Sequence, residues 1–244
     1  SANTLTTDAT AALASGAAFG ISTGKDATLG GRLEAGGTFA ATIADALRVS
    51  DAPDAVLEEV RARIESATEL LRAHARPGPH SPSVLDHTTA EFFSAHLLDP
   101  QEVMPFSPVI GRLNPVSPRL EFHAVGNRIE GRGVFPVRFV GAPQTVHGGM
   151  VATALDELMG LVNFLNGAGA FTGTMTVRYH RPTPIERELT FLGEMLEADG
   201  RKVKSRAEIR CDGELTASAE GLFIRPRRTD FRPGEEQGSG AVPP

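Results

Sequence analysis

Between residues 119 and 225 the chain mostly alternates apolar and polar residues, and one long stretch of helical rhythm interrupts the alternation. "RLEFHAV" and "RIEGRGVFPVRFV" read as strands, and the "GN" between them is a hairpin signal. "VHGGMVATALDELMG" then opens a helix that runs to about Leu165, with Val151, Leu155, Leu158, Met159 and Val162 as its bulky face. After a Gly/Ala loop come four more strand patterns: "TGTMTVRYHRP", "RELTFLGEMLEAD", "KVKSRAEIRC" and "ELTASAEGLFIRP". The turns "DGRK" and "CDGE" suit tight hairpins. Two strands thus precede one helix and four follow it. Successive hairpins demand an antiparallel sheet, because parallel neighbours need long crossovers. One sheet wrapped about one apolar helix is an α+β architecture. No internal repeat is visible.

The N-terminal half has a weaker pattern. Residues 1–50 are rich in Ala, Gly, Thr and Ser, with few large apolar residues, and read as an extension without its own core. A short helix is expected around 37–48. In "DAPDAVLEEVRARIESATELLRAHA", Val56, Val60, Ile64, Ala67 and Leu71 recur at helical spacing, with Asp54 as the expected N-cap. "RPGPHSP" breaks this helix, and a further short one is expected over 84–98. A proline-rich lead-in follows, so 51–105 reads as a helical segment plus linker. The folded domain spans 106–226, and 227–244 reads as a flexible tail.

Composition narrows the function classes. Of 244 residues, 41% are hydrophobic and 22% charged, which suits a globular core. A formal net charge of −6 argues against a nucleic-acid binder. Cys211 is the only cysteine, which excludes an intrachain disulfide and fits a cytoplasmic setting. His74, His80, His87, His96 and His123 show no metal-ligand spacing, so no metal is expected. No apolar run reaches the roughly 18 residues of a membrane span. The N-terminus has no signal-peptide pattern. The first residue is Ser1 rather than Met, which points to a processed or trimmed start.

Chemistry concentrates in the central helix. At about 100° per residue, Gly149, Ala152, Thr153, Asp156, Gly160 and Asn163 share one stripe. Every member except the carboxylate is small or uncharged, so the stripe reads as a shallow polar groove holding Asp156. A partly buried carboxylate tends to a raised pKa, useful for proton transfer. Glu157 is offset by about 100° and is expected at the surface. The helix start offers free N–H groups at 147–149, and glycines there let a substrate oxygen approach. A carboxylate two turns from such a site is a reasonable acyl-transfer arrangement.

Four pieces in order, "GAPQTVHGGMVATALDELMG", "TMTVRYHRPTPI", "EADGRKVKSRAEI" and "ASAEGLFI", make residues 106–225 resemble the PaaI-like hotdog-fold thioesterases. The form with a long N-terminal extension is the nearest in layout. The resemblance implies a hotdog fold, about six antiparallel strands around one helix, and hydrolysis of an acyl-CoA thioester. It makes Asp156 the base or nucleophile and Gly148 the N–H donor to the thioester carbonyl. His147 would shape or polarise the carbonyl end. Thr172, seven residues before Tyr179, would position the water or the carboxylate from the facing subunit. Coenzyme A would run near Gly149, Arg178 and His180 and beside the basic pair Arg201 and Lys202. It enters as substrate, and no other cofactor is implied. A homodimer, with dimers pairing again in similar proteins, is implied too. Some relatives carry an Asn six residues before the His; Gly141 stands there.

Plainer roles stay open at this point. Asp156 could face water, His147 could merely start the helix, and Gly148 and Gly149 could serve close packing. Thr172 could be an ordinary strand residue, and Arg201 and Lys202 an exposed turn. Two other functions compete with hydrolysis: a hydratase or dehydratase on the same fold, and a non-catalytic acyl-CoA sensor. Phe164 and the loop 165–171 are expected to shape the acyl pocket.

Overall fold

The computed structural model describes residues 29–75 and 100–225. The helix expected over 84–98 and the tail 227–244 lie outside them.

Six antiparallel strands form one sheet: β1 (Glu121–Val125), β2 (Arg128–Gly133), β3 (Phe171–Tyr179), β4 (Leu189–Asp199), β5 (Lys202–Cys211) and β6 (Glu214–Ile224). Their order across the sheet is β1-β2-β4-β5-β6-β3. Three of the pairings are local hairpins. At the β5–β6 turn Asp212 and Gly213 both have positive φ, 50° and 79°, the backbone a two-residue hairpin needs. The β2–β4 and β3–β6 pairings are long-range, and the second leaves β3 at an edge.

The central helix, Gly148–Leu165, lies across this sheet. Val151, Leu155, Leu158, Met159 and Val162 are all buried, as their periodicity predicts. They join Ile129, Phe191, Val203, Ala207, Ile209 and Phe223 from the strands in a single core. Gly193 allows the close approach, since a Cβ there would lie 2.8 Å from the Leu158 side chain. This is the expected hotdog arrangement.

Two expectations fail nearby. The strand read through "VFPVRFV" stops at Gly133, because Pro136 fixes φ at −62° and starts a 3₁₀ turn over Val137–Phe139. Phe135 and Phe139 still reach the core, so the alternation was real but served a turn. Asn163 is not in the groove. It is fully buried, and its Oδ1 accepts a hydrogen bond from Ser205 of β5. β5 covers the stripe at this point.

Before the sheet, α1 spans Leu29–Val49, earlier and longer than the expected 37–48, and α2 spans Asp54–Arg72. The N-cap of α2 is Pro53, not Asp54; Asp54 sits in the first turn, where its charge complements the helix dipole. The apolar stripe of α2 buries nothing among the described residues. By contrast α1 is docked: Ala41 is buried, and Asp45 accepts from the Arg138 backbone N–H and pairs with its guanidinium. With a short helix α3 at Pro100–Val103, the central helix is α4. The lead-in of residues 104–118 packs into the domain. Val109, Ile110 and Ser107 are buried.

Candidate active site

α4 begins at Gly148, and His147 is its N-cap with φ −57° and ψ 130°. The Nδ1 of His147 accepts the N–H of Gly149 at 3.0 Å. That is the capping role of a Ser or Asp side chain, carried here by imidazole. An accepting Nδ1 puts the ring hydrogen on Nε2, which is left as a donor. The Gly148 N–H has no acceptor among the described residues, as expected for the first helical position. Tyr179, at the end of β3, donates its hydroxyl to the Gly148 carbonyl at 2.8 Å and fixes this end of the helix against the strand.

Position 141 explains one departure from the resemblance. Gly141 donates to the Thr145 carbonyl, and a Cβ at 141 would lie 2.7 Å from the Cα of His147. An Asn cannot occupy this place without moving the backbone that carries His147.

β3 runs back along α4, so the start of the strand meets the middle of the helix. A bulge at Gly173 sets which way Thr172 faces. Thr172 pairs with Phe223 and Thr174 with Leu222, so one extra residue lies between them and the two threonines face opposite sides. Thr172 takes the helix side with the buried Phe223, and its Oγ1 donates to Asp156 Oδ1 at 2.8 Å. The two residues therefore meet within one chain, where the resemblance implied the facing subunit.

Asp156 lines a cavity of about 240 Å³ with Glu157, Thr172, Gly160 and an apolar wall of Met104, Leu161, Phe164, Ala170, Phe171 and Phe223. Glu157 is half-buried rather than on the open surface. Ser107, from the lead-in, donates to its Oε1 at 2.5 Å. Burial pushes the Glu157 carboxyl above the usual range, Ser107 opposes this, and the neighbouring Asp156 adds to the rise. Phe164, singled out in the sequence, lines this cavity, whereas Met104, Ser107 and Phe223 were not singled out. Met104 and Ser107 lie in the proline-rich lead-in, and only the fold shows that Ser107 reaches the helix at Glu157.

The remaining residues split between two ends. A second, more open cleft of about 420 Å³ at the start of α4 is lined by Gly148, Tyr179, His180 and Arg181. His180 Nε2 is bonded to Ser218 Oγ at 2.8 Å. Arg178, two residues earlier, is exposed, and its side chain has no hydrogen bond or ion pair among the described residues. Arg201 and Lys202 sit at the opposite end of the sheet, since Lys202 is level with Ile224, which faces Phe171. The Arg201 Nε donates to the Arg225 carbonyl. The structure thus puts Asp156 and Thr172 in contact toward the sheet end that carries Arg201 and Lys202, with His147, Gly148, Gly149, Arg178 and His180 toward the other end. Eight residues of α-helix separate Gly148 from Asp156, a rise of about 12 Å. One carbonyl cannot touch both within a single chain.

Residues 143–218 match the model of the thioesterase superfamily, a span that holds every one of these site residues. A crystal structure of a thioesterase superfamily protein superposes with a TM-score of 0.68 at 28% identity, covering 79% of this chain and 90% of that one. That share exceeds the sheet-and-helix domain alone, so the likeness extends into the N-terminal segment. Acyl-coenzyme A thioesterase THEM4 of Xenopus laevis is 32% identical over 87 residues, 35% of this chain and 39% of that protein. THEM4 of Mus musculus is 28% identical over 111 residues, 43% of this chain and 48% of that protein. The matches thus span less than half the length of these relatives. Among the described residues no helix is long and apolar enough to cross a membrane.

Proposed function

We propose that the protein hydrolyses an acyl-CoA thioester to the free acid and coenzyme A, because residues 143–218 match the thioesterase superfamily model and lie in a six-stranded sheet packed on one central helix. One observation carries the site assignment: Asp156 is oriented by Thr172 at 2.8 Å, at the mouth of a cavity with apolar walls. Asp156 activates a water or attacks the carbonyl carbon itself. The free N–H of Gly148 and the Nε2–H of His147 receive the carbonyl oxygen as it gains charge. The thioester enters this cavity, whose apolar wall includes Met104 and Phe223.

The separation of about 12 Å along α4 supports a site assembled from two protomers, with Gly148 from one and Asp156 from the other. β3 supports the same reading. It is a nine-residue edge strand whose Phe171 and Tyr179 are more than half exposed, a surface that invites pairing with a second copy. Arg178 and His180 of one chain and Arg201 and Lys202 of the other then flank one coenzyme A.

The test is Asp156→Ala on a panel of acyl-CoA esters from acetyl to palmitoyl. Turnover should fall by at least a hundredfold with coenzyme A binding retained; unchanged turnover refutes the assignment. Tight binding without turnover by the unaltered protein would make it a binding protein instead.

A further inference from the structure

We propose that Glu157 is the acid that complements Asp156, delivering a proton to the departing sulfur. The inference rests on the thioester-hydrolase reading above. Both residues line the same cavity, and no lysine, arginine or histidine lines it. Among the described residues that line it, Asp156 and Glu157 carry the only carboxyl groups, and Asp156 is already the base.

Hydrogen-bond geometry places that proton. Ser107 Oγ accepts the N–H groups of Val109 at 3.1 Å and Ile110 at 3.2 Å, which uses both its lone pairs. Its own hydrogen therefore goes to Glu157 Oε1, and that oxygen is an acceptor. A proton carried by Glu157 sits on Oε2, which has no partner among the described residues. Burial favours the protonated carboxyl, and so does the charge of Asp156 on the same helix. Among the described residues of other elements, Ser107, which bonds it, and Thr172, which lines the same cavity, are neutral. Two adjacent carboxyl groups held in different environments are suited to opposite proton roles.

The step balances. Water adds to the carbonyl carbon while Asp156 takes its proton. The C–S bond then breaks with its electron pair moving to sulfur, and Glu157 Oε2–H protonates that sulfur. The proton on Asp156 returns through water to Glu157. One water is consumed, and the acid and the thiol are released.

Glu157→Gln keeps an acceptor for Ser107 but cannot give a proton. The assay compares two thioesters with the same acyl group, the CoA ester and a p-nitrothiophenyl ester whose thiolate leaves unaided. Glu157→Gln should lower kcat on the CoA ester by about a hundredfold and leave the aryl ester within about threefold. Equal loss on both esters, or loss on neither, overturns the proposal. The unaltered protein gives a second reading that does not depend on how the variant folds. Its kcat on the CoA ester should fall as pH rises through the raised Glu157 value, and the aryl ester should lack this limb. The same limb on both, or on neither, also overturns it. If the unaltered protein hydrolyses neither ester, it is the thioester-hydrolase reading that fails.

Discussion

Replacing Thr172 by Val tests whether the strand threonine acts on the carboxylate or only builds the strand. Valine keeps the β-branched shape that suits β3 and removes the hydroxyl that donates to Asp156 at 2.8 Å. A hydrogen bond to a charged group is worth about 1.5–3 kcal/mol, and the exposure of Thr172 argues for the lower end. If the bond orients the carboxylate in the transition state, about 1.5 kcal/mol corresponds to slightly more than a tenfold fall in kcat/KM. Stability should change little, by about 0.5 kcal/mol or less, because the side chain is at a solvated edge. Steady-state hydrolysis, followed by trapping the released thiol, gives the rate; Cys211 is buried and contributes little background. Thr172→Ser restores the donor and should recover most of the activity. Activity of Thr172→Val within twofold of the unaltered protein would refute the reasoning, as would a serine variant as impaired as the valine one.

Glu157 also sets a pH dependence of stability. Its folded carboxyl holds a proton more tightly than the ordinary value of 4.5, so its stabilising contribution is present below that value and is lost as pH rises through the folded one. Thermal melts should show the unaltered protein losing ground to Glu157→Gln as pH rises from about 4.5; a constant gap would refute this. At the other end of the domain, Asp45→Ala leaves the largely buried Arg138 guanidinium without its carboxylate. The cost should be about 1–3 kcal/mol. Hydrogen exchange should quicken over residues 38–49 while the sheet stays protected, and unchanged exchange there would show that the pair does not dock α1.

Several features of the fold were legible because they are local. "CDGE" and "GN" mark hairpins since their glycines and aspartate accept positive φ, and the bulky face of α4 follows from its spacing. The long-range pairings were not legible, because no turn joins β2 to β4 or β3 to β6. That is why the place of Thr172 was misread: only the β3–β6 pairing and its bulge bring it to Asp156 in the same chain. The misreading of Glu157 has a similar cause. Helical projection puts it off the stripe, and what buries it is a proline-rich segment fifty residues earlier in the chain. His147 shows the opposite limit. The motif made it prominent, and the structure gives it a definite bond as the helix cap, with Nε2 left unbonded among the described residues.

The central claim is a thioester-hydrolase site shared between two protomers, and subunit complementation tests it most directly. Gly148→Pro deletes the N–H with little other disturbance. Proline is favoured at the first helical position, the φ and ψ of His147 suit a residue before proline, and a Cβ at 148 would meet Tyr179 at an ordinary 3.5 Å. Gly148→Pro and Asp156→Asn should each lose about a hundredfold or more in kcat on the same CoA ester. In a randomly mixed dimer population, half the dimers are mixed, and each mixed dimer holds one site with both groups intact. The account predicts that co-refolding the two inactive variants restores about a quarter of the unaltered activity. A mixture as inactive as its components would contradict it.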